Sequence, residues 1–197
     1  MRFGKGGPAL VLKLFWDTAP TPPHYFAAQR ECQNNALFHM MQAAISDKTK
    51  LGPILVNPCP ESKEVAEANL FAFSDEGRAR NKALQSTENL VEIKEMPRMR
   101  QCFGWMRFTG EELLRRLPAK LRPLPIKIDK VERSIDKHLT YTALVYEFID
   151  SGANDPAVVQ KVLDFLWCVG FAHRSHGQRT GRAEFCLIIQ TLCIVTV

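Results

Sequence analysis

The residue whose setting most demands chemistry is Lys13. It sits inside the apolar run Ala9-Leu10-Val11-Leu12-Lys13-Leu14-Phe15-Trp16, bounded by Pro8 and Asp17. An ammonium in such a run needs an opposite charge or a route to solvent. Other groups capable of chemistry are less organised. Cys32, Cys59, Cys102, Cys168, Cys186 and Cys193 are scattered, with no CxxC pair and no histidine at zinc-finger spacing. His24, His39, His138, His173 and His176 form no HExxH pair. These patterns predict small buried thiols and no metal site. Between Arg78 and Arg133 there are fourteen Lys and Arg against seven Asp and Glu. That surplus would suit an acidic partner or nucleic acid. The basic residues interleave with acids and with Pro97, Pro118, Pro123 and Pro125, however, and match no nucleic-acid motif. A solvated, partly irregular insert is expected there.

Length and composition bound the class. The chain has 197 residues, 46% hydrophobic and 24% charged, with a net charge of +5, a size for one domain or slightly more. These proportions exclude collagen-like, disordered and disulfide-scaffold classes. No run reaches the roughly 18 apolar residues that span a bilayer. The segment from Met1 to Pro8 has no apolar h-region. A reducing compartment, cytosol or nucleus, is the expectation.

The elements that must position Lys13 follow from periodicity and punctuation. The run around Lys13 reads as a buried strand, and Pro20, Pro22 and Pro23 prevent regular structure until His24. From about Tyr25 to Ile45 the pattern is helical, with Leu37, Met41, Ala44 and Ile45 on one stripe. Ile54-Leu55-Val56 suits a short strand, and Ser62 to about Phe73 a helix that fades into the charged stretch Ser74 to Ser86. Arg100 to Phe108 reads as a strand. Thr109 and Glu112 stand at capping-box spacing and start a short helix to Leu117. Tyr141 to Ile149 is β-branched and aromatic, hence a strand. After the loop Asp150 to Asn154, Asp155 and Pro156 supply an N-cap and a first-turn proline. The stripe Val159, Val162, Leu163 and Leu166 then runs until Gly170 stops the helix. Trp16, Trp105 and Trp167 are expected as core or interface anchors.

In this order the elements resemble the protein-kinase-like fold, in particular a fungal family, the Fta-two subunit of the kinetochore Sim-four complex. Leu-Lys-Leu-Phe-Trp-Asp at Leu12–Asp17, Arg-Glu-Cys-Gln-Asn at Arg30–Asn34 and Val-Leu-Asp-Phe-Leu-Trp at Val162–Trp167 carry the resemblance. It covers the chain up to about Gly170. It implies that Lys13 is the ATP-pairing lysine and Glu31 its glutamate partner on the regulatory helix. Met96-Pro97 and Cys102 to Trp105 then resemble the following strand. Tyr146 stands as gatekeeper before a hinge whose Glu147 and Ile149 would face adenine. Gly170-Phe171-Ala172-His173-Arg174 resembles the approach to a catalytic loop.

Phosphoryl transfer also needs a Gly-rich cover, a base and two metal-holding groups. Gly4, Gly6 and Gly7 lie too close to Lys13 to be flanked by two strands, Ser175 follows His173-Arg174 where aspartate belongs, and no Asp occurs after Asp164. The expectation is therefore a non-catalytic module without cofactor, its vestigial nucleotide-site residues being Lys13, Glu31, Glu147 and Ile149. A truncated phosphotransferase and a non-functional fragment are the alternatives. A structural Lys13–Glu31 pair is weighed equally with a nucleotide-binding one. Protein partners, kinetochore subunits among them, are expected, with no membrane and no direct nucleic-acid contact. From Thr180 to Val197 the chain has neither cap nor turn signals. Codons compatible with it, read one base earlier, encode a stretch resembling the same family, so a frame change or retained intron before Thr180 is expected.

The expected fold is α+β: a kinase-like N-lobe over 1–150, with a small antiparallel sheet, one major helix and an insert at about 51–97. A hinge and a single C-lobe helix follow over 151–179, and an aberrant tail over 180–197. That last helix would lack a complete C-lobe to cover its stripe, leaving apolar surface exposed.

Overall fold

The strand holding Lys13, β1 (Leu10–Leu14), pairs antiparallel with β7 (Thr140–Glu147), Lys13 standing opposite Leu144 and Val11 opposite Tyr146. On the other side of β7 lies β4 (Cys102–Thr109), again antiparallel, so the sheet order is β1-β7-β4. The central strand is the one richest in β-branched and aromatic residues, as a strand packed on both edges requires. The computed structural model describes residues 7, 9–20, 26–47, 52–84, 89–128, 130–149 and 155–171. Gly4, Gly6, His24, the loop at 150–154, His173-Arg174-Ser175 and the tail with Cys186 and Cys193 lie outside the described residues.

The chain divides into two compact units, one within 1–35 and 101–148, the other within 36–100 and 149–197. In the first, Phe15, Ala28, Cys102, Leu144 and Tyr146 form a buried cluster with Val11, Phe26, Ala27 and Cys32 against it. The helix α1 (Ala27–Ser46) supplies this unit with its first nine residues. After β4 the chain turns into α4 (Gly110–Arg116), where the Thr109 hydroxyl accepts from the Glu112 amide and the Glu112 carboxylate accepts from the Thr109 amide. The capping box is thus formed as its spacing predicts. A single 3-10 turn (Ala119–Leu121) and the hairpin β5 (Ile126–Ile128) with β6 (Val131–Arg133) follow.

The second unit holds the remainder of α1, β2 (Leu55–Val56) paired with β3 (Val91–Glu92), and the helices α2 (Lys63–Phe71), α3 (Asp75–Leu84) and α5 (Pro156–Cys168). The Asp155 carboxylate caps α5 by accepting from the Ala157 amide (2.9 Å). Its stripe of Val162, Phe165, Leu166 and Val169 is buried with Met41, Ile54, Val56, Ala72 and Phe73. Each such large side chain contributes about 1.5–3 kcal/mol by leaving water. Inside this core Asn69 ties three segments. Its Oδ1 accepts from the Asn57 amide (2.8 Å), and its Nδ2 donates to the carbonyls of Asn57 (2.8 Å) and Cys168 (2.7 Å).

The fold is α+β, with small antiparallel sheets and five α-helices among the described residues. Several expectations need correction. The last helix is not left bare: residues of the expected insert, Ile54, Val56, Ala72 and Phe73, cover its stripe. The charged stretch after Ser74 is not a fading helix end but a separate helix, α3. Nor is the basic region solvated throughout. Arg78 is buried and donates to the carbonyls of Gly52 and Ala44, closing the end of α1 with positive charge. Of the expected core or interface anchors, Trp105 and Trp167 are 62% and 45% exposed, which removes the core role and leaves the interface one. Cys59 is exposed rather than buried.

Candidate functional site

Strand pairing puts Val11, Lys13 and Phe15 on the face of β1 that meets Leu144 and Tyr146, and this face packs against the start of α1. Glu31 stands one turn into α1. Its carboxylate receives Lys13 Nζ at Oε2 (2.5 Å) and the Tyr146 phenol at Oε1 (2.5 Å). Asn35, four residues further along the same helix face, donates from Nδ2 to the Glu31 carbonyl (2.8 Å) and to Tyr146 Oη (2.8 Å). One carboxylate therefore collects a cation from one strand and a hydroxyl from the next. The Lys13 ammonium also lies 5.5 Å from the Phe15 ring centroid, within cation–π range.

The electrostatics follow from this enclosure. Burial, and then the hydrogen bond to Glu31, push the Tyr146 phenol well above the ordinary tyrosine range, so it stays a proton donor. Burial also raises the Cys102 thiol, which contacts the Gly104 carbonyl (3.6 Å). Cys32 is raised by burial, by Cys102 and by the negative charge of Glu31. Both remain thiols at neutral pH. A nucleophilic or metal-binding role would need the thiolate. Among the described residues no group of three or more His, Cys, Asp or Glu could hold a metal ion.

Of the four residues named from the sequence, the structure brings together Lys13 and Glu31. Glu147 does other work: its amide donates to the Gln101 carbonyl (3.0 Å), and its carboxylate accepts from the Gln101 amide (2.9 Å). This two-way clasp fixes the start of β4. The next amide, of Phe148, donates to the Ala9 carbonyl (3.2 Å). Ile149 belongs to the second unit. Tyr146, expected as a gatekeeper, is a ligand of Glu31. Asn35 escaped the sequence reading, though its i+4 spacing from Glu31 was the available signal.

Compared with known proteins, the chain matches no protein-family model, no curated protein and no solved structure. No described helix is long and apolar enough to cross a membrane.

Proposed function

We propose that the chain is a non-catalytic, kinase-like binding module in which the Lys13–Glu31 pair is a structural clamp. The observation that carries this reading is the shared Glu31 carboxylate. A lysine–glutamate pair between a strand and a helix is the element that kinases use to orient ATP phosphates. Here the carboxylate is also held by the Tyr146 phenol, so the helix start is fixed to two strands by side chains of the chain itself. The amides of Glu147 and Phe148 serve the sheet. The sequence around His173-Arg174-Ser175 supports the same reading, because serine cannot serve as a carboxylate base. By the resemblance, its partners are proteins of the fungal kinetochore Sim-four type, met in the nucleus or cytoplasm, and it works without a cofactor.

The Lys13–Glu31 geometry also suits a second reading, an ATP-dependent phosphotransferase. Calorimetric titration with ATP, with and without Mg²⁺, separates the two. The clamp reading expects no Mg²⁺-dependent binding tighter than roughly 1 mM, about 4 kcal/mol. A micromolar, Mg²⁺-dependent constant that disappears in Lys13→Ala would establish the phosphotransferase reading instead.

A further inference from the structure

The outer edge of β4 carries a self-complementary pattern. The Gly110 amide donates to the Leu139 carbonyl (2.9 Å), which sets the parity of the ladder with β7. By that parity Gly104, Met106 and Phe108 turn their backbone groups toward β7, and Trp105, Arg107 and Thr109 turn theirs away. The Thr109 amide, as this direction requires, is taken by the Glu112 carboxylate (2.9 Å). Beside Trp105 and Arg107 there is no second strand among the described residues. Both side chains are exposed, and they share the sheet face of their partners Leu144 and Thr142. The open stretch ends at the bulge between Cys102 and Gly104 on one side and at the capped Thr109 on the other. Its midpoint is Met106.

We propose that this edge pairs with the same edge of a second copy of the chain, antiparallel, about a two-fold axis at Met106. In that register Trp105 stands opposite Arg107 of the second copy, twice over, and each pair closes both backbone hydrogen bonds. The guanidinium meets the indole face, a favourable cation–π contact. On the reverse face Phe108 lies across from Gly104, where a Cβ would meet nothing within 4 Å. A ring over an edge glycine is a stabilising cross-strand arrangement. Gly104 has φ +130°, so the bend that ends the open stretch requires glycine. Centring the axis on Arg107 would instead oppose two like charges. The contact is isologous and closes at two copies. Its small area makes it transient rather than obligate. It stands independently of the clamp reading.

Sedimentation velocity of the full chain, from about 1 to about 100 µM, tests this over the range of a small transient interface. The parent is expected to move from monomer to dimer within it. W105R brings arginine against Arg107 of the second copy at both cross-axis pairs and weakens the dimer at least about tenfold, since each favourable pair turns repulsive. Mixing W105R with R107W restores a dimer, now between unlike chains, because every pair across the axis is again tryptophan with arginine. That recovery also demonstrates that W105R is folded. A parent that stays monomeric throughout, a W105R that dimerises like the parent, or a mixture that does not recover would each overturn the proposal.

Discussion

The Tyr146 hydroxyl donates to the Glu31 carboxylate at 2.5 Å, across 115 residues of sequence. A hydrogen bond to a charged group contributes about 1.5–3 kcal/mol, so Tyr146→Phe is expected to lower the unfolding free energy by that amount in urea titrations. The dependence on pH has a definite sign. The folded phenol titrates above its unfolded value of about 10. Its contribution is fully present below pH 10 and is lost as pH rises toward the folded value. The gap between parent and Tyr146→Phe should therefore hold up to about pH 10 and shrink above it, as read from about pH 10 to about pH 11. A gap that widens would contradict the assignment of donor and acceptor.

Much of the first unit was legible because its signals are local. Lys13 in an apolar strand announces the need for a partner, and Thr109 with Glu112 announces a helix start. Asp155-Pro156 and Gly170 likewise bracket α5 in the sequence. What escaped is non-local or weakly signalled. The helix α3, with sequence Asp-Glu-Gly-Arg-Ala-Arg-Asn-Lys-Ala-Leu, has almost no apolar stripe to read. It is fixed by Arg78 reaching the carbonyls of Gly52 and Ala44, and by Asn81 reaching that of Leu55 (2.7 Å). The hairpin β5–β6 has three-residue strands, and the sequence between them holds none of the glycine that marks such turns. Lys130 adopts φ 67° there. The cover of α5 comes from Met41, Ile54 and Val56, over a hundred residues earlier, a pairing that periodicity alone cannot supply.

Asn69 is the polar residue on which the second unit most depends. Asn69→Ala leaves the Asn57 amide and the carbonyls of Asn57 and Cys168 without their side-chain partner. Orphaned buried groups cost about 1–3 kcal/mol each, and the Asn57 pair is partly solvated, so a loss of about 3 kcal/mol is expected. Asn69→Asp keeps the acceptor for the Asn57 amide but loses both donated bonds, and should not rescue. Thermal melts of the two variants check this.

The capping box of α4 makes an acid-side prediction. Thr109→Ala removes the N-cap side chain and should cost about 1 kcal/mol at neutral pH. The Thr109 amide, then its hydroxyl, hold the Glu112 carboxyl below the usual glutamate range. A carboxylate lowered on folding contributes stability above its unfolded value and loses it as pH falls through the folded one. The penalty of Glu112→Gln should therefore fade below about pH 4. Denaturant midpoints taken across the acid limb measure it.

Gly170 ends α5 at φ +86°, and a Cβ there would lie 2.4 Å from the Ala66 carbonyl oxygen. Both the left-handed backbone and the contact exclude a side chain. Gly170→Ala should destabilise by at least about 1–3 kcal/mol. An unchanged melting temperature would show that this helix end is placed differently.

The clamp itself is tested most directly by Glu31→Ala, with the unfolding free energy and amide exchange both measured in the absence of nucleotide. Removing the carboxylate strips Lys13 and Tyr146 of their common partner. The clamp predicts a loss of about 2–4 kcal/mol and faster exchange over residues 28–35 of α1. A loss below about 0.5 kcal/mol, the scale of an exposed ion pair, with protection over those residues unchanged, would contradict it.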